Sequence, residues 1–199
     1  MTGSIQQQPL MMEAGSSHRA RIASRLDISR YTPILRTLLT TDGTVTEVLA
    51  AYHGEEVGVA VLAQHYRSYE GKHNPELAAP IGIRMLERDI TLLGKSSGRI
   101  YAAAHSRIIP SLLPPGMQEG LLAGKEPLGK LMLDHRLESF REIVSCGRSR
   151  VTDVPALGEA CVAALGIDPE DTVVWRTYRV ISGGRPIMSI TEYFPEVLE

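Results

Sequence analysis

Apolar residues recur along this chain in two rhythms, one helical and one alternating, and the switches between them divide it into elements. Leu26 to Leu39 carries a helical rhythm that Pro33 can break, and Asp42-Gly43 then turns the chain. Val45, Val48, Leu49 and Tyr52 follow at i, i+3, i+4 and i+7, which predicts a second helix with one apolar stripe; Thr44 and Glu47 have capping-box spacing at its start. Val57 to Ala63 is a valine-rich run of strand length, and the polar stretch Gln64 to Pro80 reads as a loop. Between Ile81 and Ile109 two extended segments flank Gly94-Lys95-Ser96-Ser97-Gly98, the composition of a hairpin connection, so they should pair antiparallel. Pro114 to Leu133 reads as helix interrupted around Gly124 to Pro127, Leu137 to Ser145 as a further strand, and Leu157 to Leu165 as an amphipathic helix ended by Gly166. Thr172 to Phe194 predicts a second hairpin turning at Ser182-Gly183-Gly184-Arg185. Strands and helices do not alternate regularly, which argues for an antiparallel α+β domain over a doubly wound one, and no internal repeat is visible.

Length and charge narrow the picture. A chain of 199 residues suits one domain with a sizeable core, which we assign to residues 25–199, with residues 1–24, whose opening Met1 to Ser17 carries Gln, Ser and Gly, as a flexible tail. A net charge of -2 without a sustained Lys/Arg run lacks the electrostatic footprint that phosphate backbones or anionic lipids reward, so neither nucleic acid nor membrane is expected as a partner. Cys146 and Cys161 are too few for a disulfide framework and stand in no metal-binding spacing, and the opening residues do not read as a targeting segment. A cytoplasmic protein is the expectation. Oligomeric state is not legible.

Two charged residues break the alternation. In a strand, residues two apart share a face, so Leu86, Arg88, Ile90 and Leu92 point one way, as do Met188, Ile190, Glu192 and Phe194. Arg88 and Glu192 therefore lie in apolar company. Burying an ion costs several kcal/mol, so the two are paired with each other, one of them escapes to solvent through a different register, or they face a ligand, which for Arg88 must be an anion.

Beyond this pattern, several segments together resemble the chorismate lyase family. They are Leu38-Leu39-Thr40-Thr41-Asp42-Gly43-Thr44-Val45-Thr46-Glu47-Val48-Leu49, Leu86-Glu87-Arg88-Asp89-Ile90, Pro127-Leu128-Gly129, and Arg179 to Met188 leading into Thr191-Glu192-Tyr193-Phe194, the most specific stretch. The resemblance implies a six-stranded antiparallel sheet with helices packed on one side and flaps enclosing the ligand. It also implies a reaction without metal or cofactor, in which chorismate loses its enolpyruvyl group as pyruvate and leaves 4-hydroxybenzoate. Carried over by motif, Arg88 would grip the ring carboxylate, Glu192 would sit at the ring hydroxyl as acid or base, and the backbone of Val45 and Leu128 would bind the carboxylate. N–H donors at a helix start suit an anion. At His105 in Ala102-Ala103-Ala104-His105-Ser106 the sequence departs from the family, which carries other polar residues nearby. His105 either takes over that substrate-binding role or is a surface or core histidine, and the departure leaves open a different aromatic or enolpyruvyl acid as substrate.

Other residue patterns point nowhere catalytic. His65, His73, His105 and His135 lack metal-ligand spacing, Gly183-Gly184 joins two strands instead of preceding a helix, and neither cysteine stands in a nucleophile context. Arg141, Arg148 and Arg150 either assist an anionic substrate or form a solvated edge. The rival function is a sensor that binds a small molecule without turning it over, since the effector domain of GntR-type regulators shares this fold and resembles Leu165-Gly166-Ile167 and Val173 to Tyr193. That reading expects a helix-turn-helix ahead of the domain, for which Met1 to Ser24 is too short and too polar.

Overall fold

The computed structural model describes residue 22 and residues 26–70, 77–154, 159–168 and 170–196. Pro33 opens helix α1 (Pro33–Thr40) instead of breaking one: it stands at the first helical position, where a missing N–H costs no hydrogen bond. The segment before it forms a short 3-10 turn at Ile28–Arg30. Helix α1 buries Ile34, Leu35, Leu38 and Leu39, each such side chain contributing roughly 1.5–3 kcal/mol. Helix α2 (Val45–His53) follows and ends at Gly54, whose φ of 69° is left-handed and costs glycine little.

Strands β1 (Val57–Ser68), β2 (Arg84–Gly94) and β3 (Ile100–Ile108) form a meander, with the expected hairpin connection between the last two. Helices α3 (Pro115–Ala123) and α4 (Leu128–Asp134) break where Gly124 adopts a φ of 68°, close to the interruption expected from sequence. Strand β4 (Phe140–Arg150), helix α5 (Glu159–Leu165) and the hairpin β5 (Thr172–Ser182) and β6 (Arg185–Pro195) complete the chain. The six strands lie in the order β1-β2-β3-β6-β5-β4, and every neighbouring pair is antiparallel.

Strand β1 runs five residues past the apolar run, and Gln64 to Ser68, expected as loop, pairs with Arg84 to Arg88. This is the free edge of the sheet, where side chains are exposed and a strand keeps its backbone pairing without an apolar signature. Residues 71–76 of the expected loop lie outside the described residues.

One face of the sheet carries the main core. Leu86, Ile90, Ala104, Val174, Met188 and Ile190 pack there against the buried faces of α1 to α4. The helices are not all on this side. Ala103, Val173 and Tyr193, of opposite parity along their strands, form a second cluster with Cys161 of α5 on the reverse face. Ile22, of the segment expected as a tail, is fully buried in the main core; the other residues of 1–24 lie outside the described residues.

Candidate functional site

Strand register places the inward charges in two adjacent rows on the helix-covered face. Arg88, Ser106, Ile190 and Tyr178 are successive cross-strand partners from β2 to β5, and Ile90, Ala104, Glu192 and Arg176 form the next row. Arg88 is 2% exposed and Glu192 6%, so both are inward, as alternation requires. They are not each other's partners. Glu192 accepts from Arg176 Nε at 2.8 Å through Oε2 and from the Tyr178 hydroxyl at 2.9 Å through Oε1. Its surroundings are therefore ionic and hydrogen-bonded, not the apolar company that alternation suggested.

Arg176 is missing from the sequence-based candidates, although Val174, Arg176, Tyr178 and Val180 show the same inward alternation as the two residues that were found. Its Nη1 also donates to the carbonyl of Thr41 at 2.7 Å, which ties the turn before α2 to the sheet. Burial and the neighbouring Glu192 charge raise the Tyr178 phenol far above its usual range, so it remains a neutral donor to Glu192.

Arg88 is different. Its Nε and Nη2 are buried and have no hydrogen-bond partner among the described residues, and burial lowers its proton affinity. A guanidinium left this way forfeits hydration without recovering it from protein groups, at a cost of several kcal/mol. Its side chain instead lines a pocket shared with Glu192, Ser106 and Tyr178 on the sheet and with the starts of α2 and α4.

Those two helix starts supply Val45 and Leu128, each the first residue of its helix and each at the pocket wall. Thr44 occupies the N-cap of α2, yet the capping box is not made, for its side chain forms no cap hydrogen bond. The first N–H groups of α2 cannot find acceptors within the helix, so they remain available to an anion. The two starts meet closely because position 129 is glycine: a Cβ there would come within 2.4 Å of Thr44 Cγ2.

The pocket thus brings together Arg88, Glu192, Val45 and Leu128, and it does not include His105. His105 is one residue out of step with Ala104 and Ser106, which line the pocket, so its ring emerges on the reverse face. There its Nδ1 lies 2.7 Å from Asp89 Oδ1. A substrate-binding role for His105 is corrected on this ground. Cys161 lies on the same reverse side, where burial first and the Asp89 charge second raise its thiol to about 11, far from a nucleophile's range. Arg148 and Arg150 pair with Glu196 and Glu170 at the exposed sheet edge, whereas Arg141 reaches the pocket. Among the described residues no group of His, Cys, Asp and Glu could hold a metal, and no helix is long and apolar enough to cross a membrane. His73 lies outside the described residues.

Solved structures similar to this fold include the effector domain of PhnF from Mycobacterium smegmatis, with a TM-score of 0.60 and 14% identity over 78% of this chain and 90% of that one. A GntR-family transcriptional regulator from Bacillus cereus matches with a TM-score of 0.53 and 12% identity, over 73% of this chain and 96% of that one. At such identities the likeness concerns the fold alone. Sequence relatives are nearer. A chorismate pyruvate-lyase of Mycobacterium leprae is 36% identical over 176 residues, covering 87% of this chain and 80% of the relative. One from Mycobacterium tuberculosis strain H37Rv is 33% identical over 171 residues, covering 84% and 82%. The model of the family described as chorismate pyruvate-lyase Rv2949c-like matches residues 39–199, and the chain belongs to that family.

Proposed function

We propose that this protein is a chorismate pyruvate-lyase that releases pyruvate from chorismate and leaves 4-hydroxybenzoate. The observation that carries the reading is the buried, unpartnered edge of Arg88 in a pocket that also holds Glu192. A desolvated guanidinium binds a carboxylate far more strongly than an exposed one, and its planar fork can hold both oxygens at once. In this reading Arg88 takes the ring carboxylate, assisted by the N–H groups of Val45 and Leu128, and Glu192 accepts from the ring hydroxyl at the opposite end.

The chemistry asks little of the protein beyond position and proton handling. The bond between the ring and the ether oxygen breaks, and its electrons leave on oxygen as the enolate of pyruvate. The carbon bearing the hydroxyl loses its proton, and those C–H electrons complete the aromatic ring. Glu192 receives that proton and returns it to the methylene carbon of the departing enolate, so the products carry all the atoms of the substrate. Arg176 and Tyr178 hold the two carboxylate oxygens in place, and aromatisation makes the direction favourable. Confinement between the sheet and two helix starts supplies the orientation, a contribution that for well-aligned groups reaches several kcal/mol. Cys146 and Cys161 are both buried and in the thiol form, which fits a reducing compartment and supports a cytoplasmic location.

The test is incubation of the purified protein with chorismate while pyruvate and the aromatic product are quantified. Equal amounts of pyruvate and 4-hydroxybenzoate, lost in Glu192→Ala, are expected. Binding of aromatic acids without pyruvate release would instead make this a ligand-binding protein, the behaviour its fold neighbours suggest.

A further inference from the structure

Chorismate carries two carboxylates, and Arg88 accounts for one. A second arginine, Arg141 on β4, also lines the pocket. Its Nη1 donates to the Asp42 carbonyl at 2.6 Å, the one hydrogen bond it makes among the described residues, which fixes the side chain and leaves further N–H groups for a ligand. Strand order separates the three charged residues: Glu192 is two strands from Arg88 and two from Arg141, about 10 Å in each direction. Register offsets them as well. Arg141 pairs through Val180, Met188 and Ile108 to Leu86, one row beyond that of Arg88, whereas Glu192 is one row short of it. The three therefore form the corners of a triangle and do not fall on a line.

The substrate has the same shape. Its ring carboxylate and ring hydroxyl lie at opposite ends of the ring, and the enolpyruvyl arm leaves from the carbon beside the hydroxyl, which carries the second carboxylate off the axis. With the ring carboxylate at Arg88 and the hydroxyl at Glu192, the geometry points to Arg141 as the residue that binds the carboxylate of the departing arm. This rests on the lyase reading for the identity of the arm. It gives Arg141 a role in substrate affinity that the aromatic product, having lost the arm, no longer feels.

A matched pair of ligands isolates that role: 4-hydroxybenzoate, and 3-(carboxymethoxy)-4-hydroxybenzoate, which differs only by a second carboxylate on an ether arm beside the hydroxyl. Their dissociation constants would be measured by calorimetry for the wild type, for Arg141→Met, and for Arg141→Gln, which keeps a donor for the Asp42 carbonyl. The wild type should prefer the two-carboxylate ligand by about tenfold or more, as expected for a charge-assisted contact. Both variants should lose that preference while binding 4-hydroxybenzoate within about twofold of wild type. Equal weakening of both ligands would mean that Arg141 only holds the turn at Asp42, and a preference that survives in the variants, or is absent from the wild type, would overturn the assignment. Pyruvate release from chorismate by the wild type is scored separately, so a failure of the lyase reading is distinguishable from a failure at Arg141.

Discussion

Arg176 donates to Glu192 across the buried face of β5 and β6 at 2.8 Å, and this pairing leaves Arg88, the other fully buried arginine of the sheet, without the carboxylate. One ion pair is internal to the protein, and one cation is reserved. In the proposed reading the reserved cation is where an anion binds, and the internal pair holds the carboxylate that shares its pocket.

Removing Arg176 should therefore unfold more than it inactivates. Arg176→Met strands the Glu192 carboxylate in the core, at a cost of about 3–5 kcal/mol. The double variant Arg176→Met/Glu192→Gln should recover part of that loss, because the stranded charge is gone. Urea unfolding of the three proteins gives both numbers.

Arg88 predicts the opposite for stability. Arg88→Met removes a buried charge with unsatisfied donors, so the thermal midpoint should rise by a few degrees, corresponding to about 1 kcal/mol or more, while turnover is abolished. Arg88→Lys keeps the charge but not the fork and should also lose most activity. Calorimetry and a pyruvate assay on the same preparations check both halves.

Gly129→Ala should impair turnover by forcing the starts of α2 and α4 apart, since the new Cβ meets Thr44 Cγ2. Thr44→Ser removes that methyl group, so the double variant Gly129→Ala/Thr44→Ser should regain much of the lost activity. A kinetic comparison of the two decides it.

His105→Ala should leave kcat and KM for chorismate within about twofold of wild type (roughly 0.4 kcal/mol), because the ring lies on the far side of the sheet beside Asp89. A large rise in KM would return His105 to the site.

Glu55 gives an acid-dependent term in stability. Hydrogen bonds from Ser97, Tyr101 and Ser96 hold its carboxyl at about 2, against an ordinary value of 4.5. Its folded-state value is depressed, so the stabilisation is present above about pH 4.5 and disappears as pH falls towards 2. Glu55→Gln should melt below wild type at neutral pH, and the gap should close across that interval.

The sequence by itself marked most of the elements and two residues of the candidate site. Periodicity marked both hairpins, the paired helices around Gly124 and the inward direction of Arg88 and Glu192, because which face a side chain takes is a local property of a strand. Family motifs added Val45 and Leu128. Partnership is another matter. Whether Arg88 or Arg176 neutralises Glu192 depends on which strands become neighbours, and β5 meets β6 while β2 is separated from it by β3. The same holds for His105, whose motif resembled a site position although the phase of β3 turns it to the reverse face. It holds for Thr44, whose capping spacing was right while its methyl group packs against Gly129 and its side chain makes no cap. Only the tertiary structure decided these, because each depends on residues brought together across strands or from separate helices, and no local pattern encodes the distance between them.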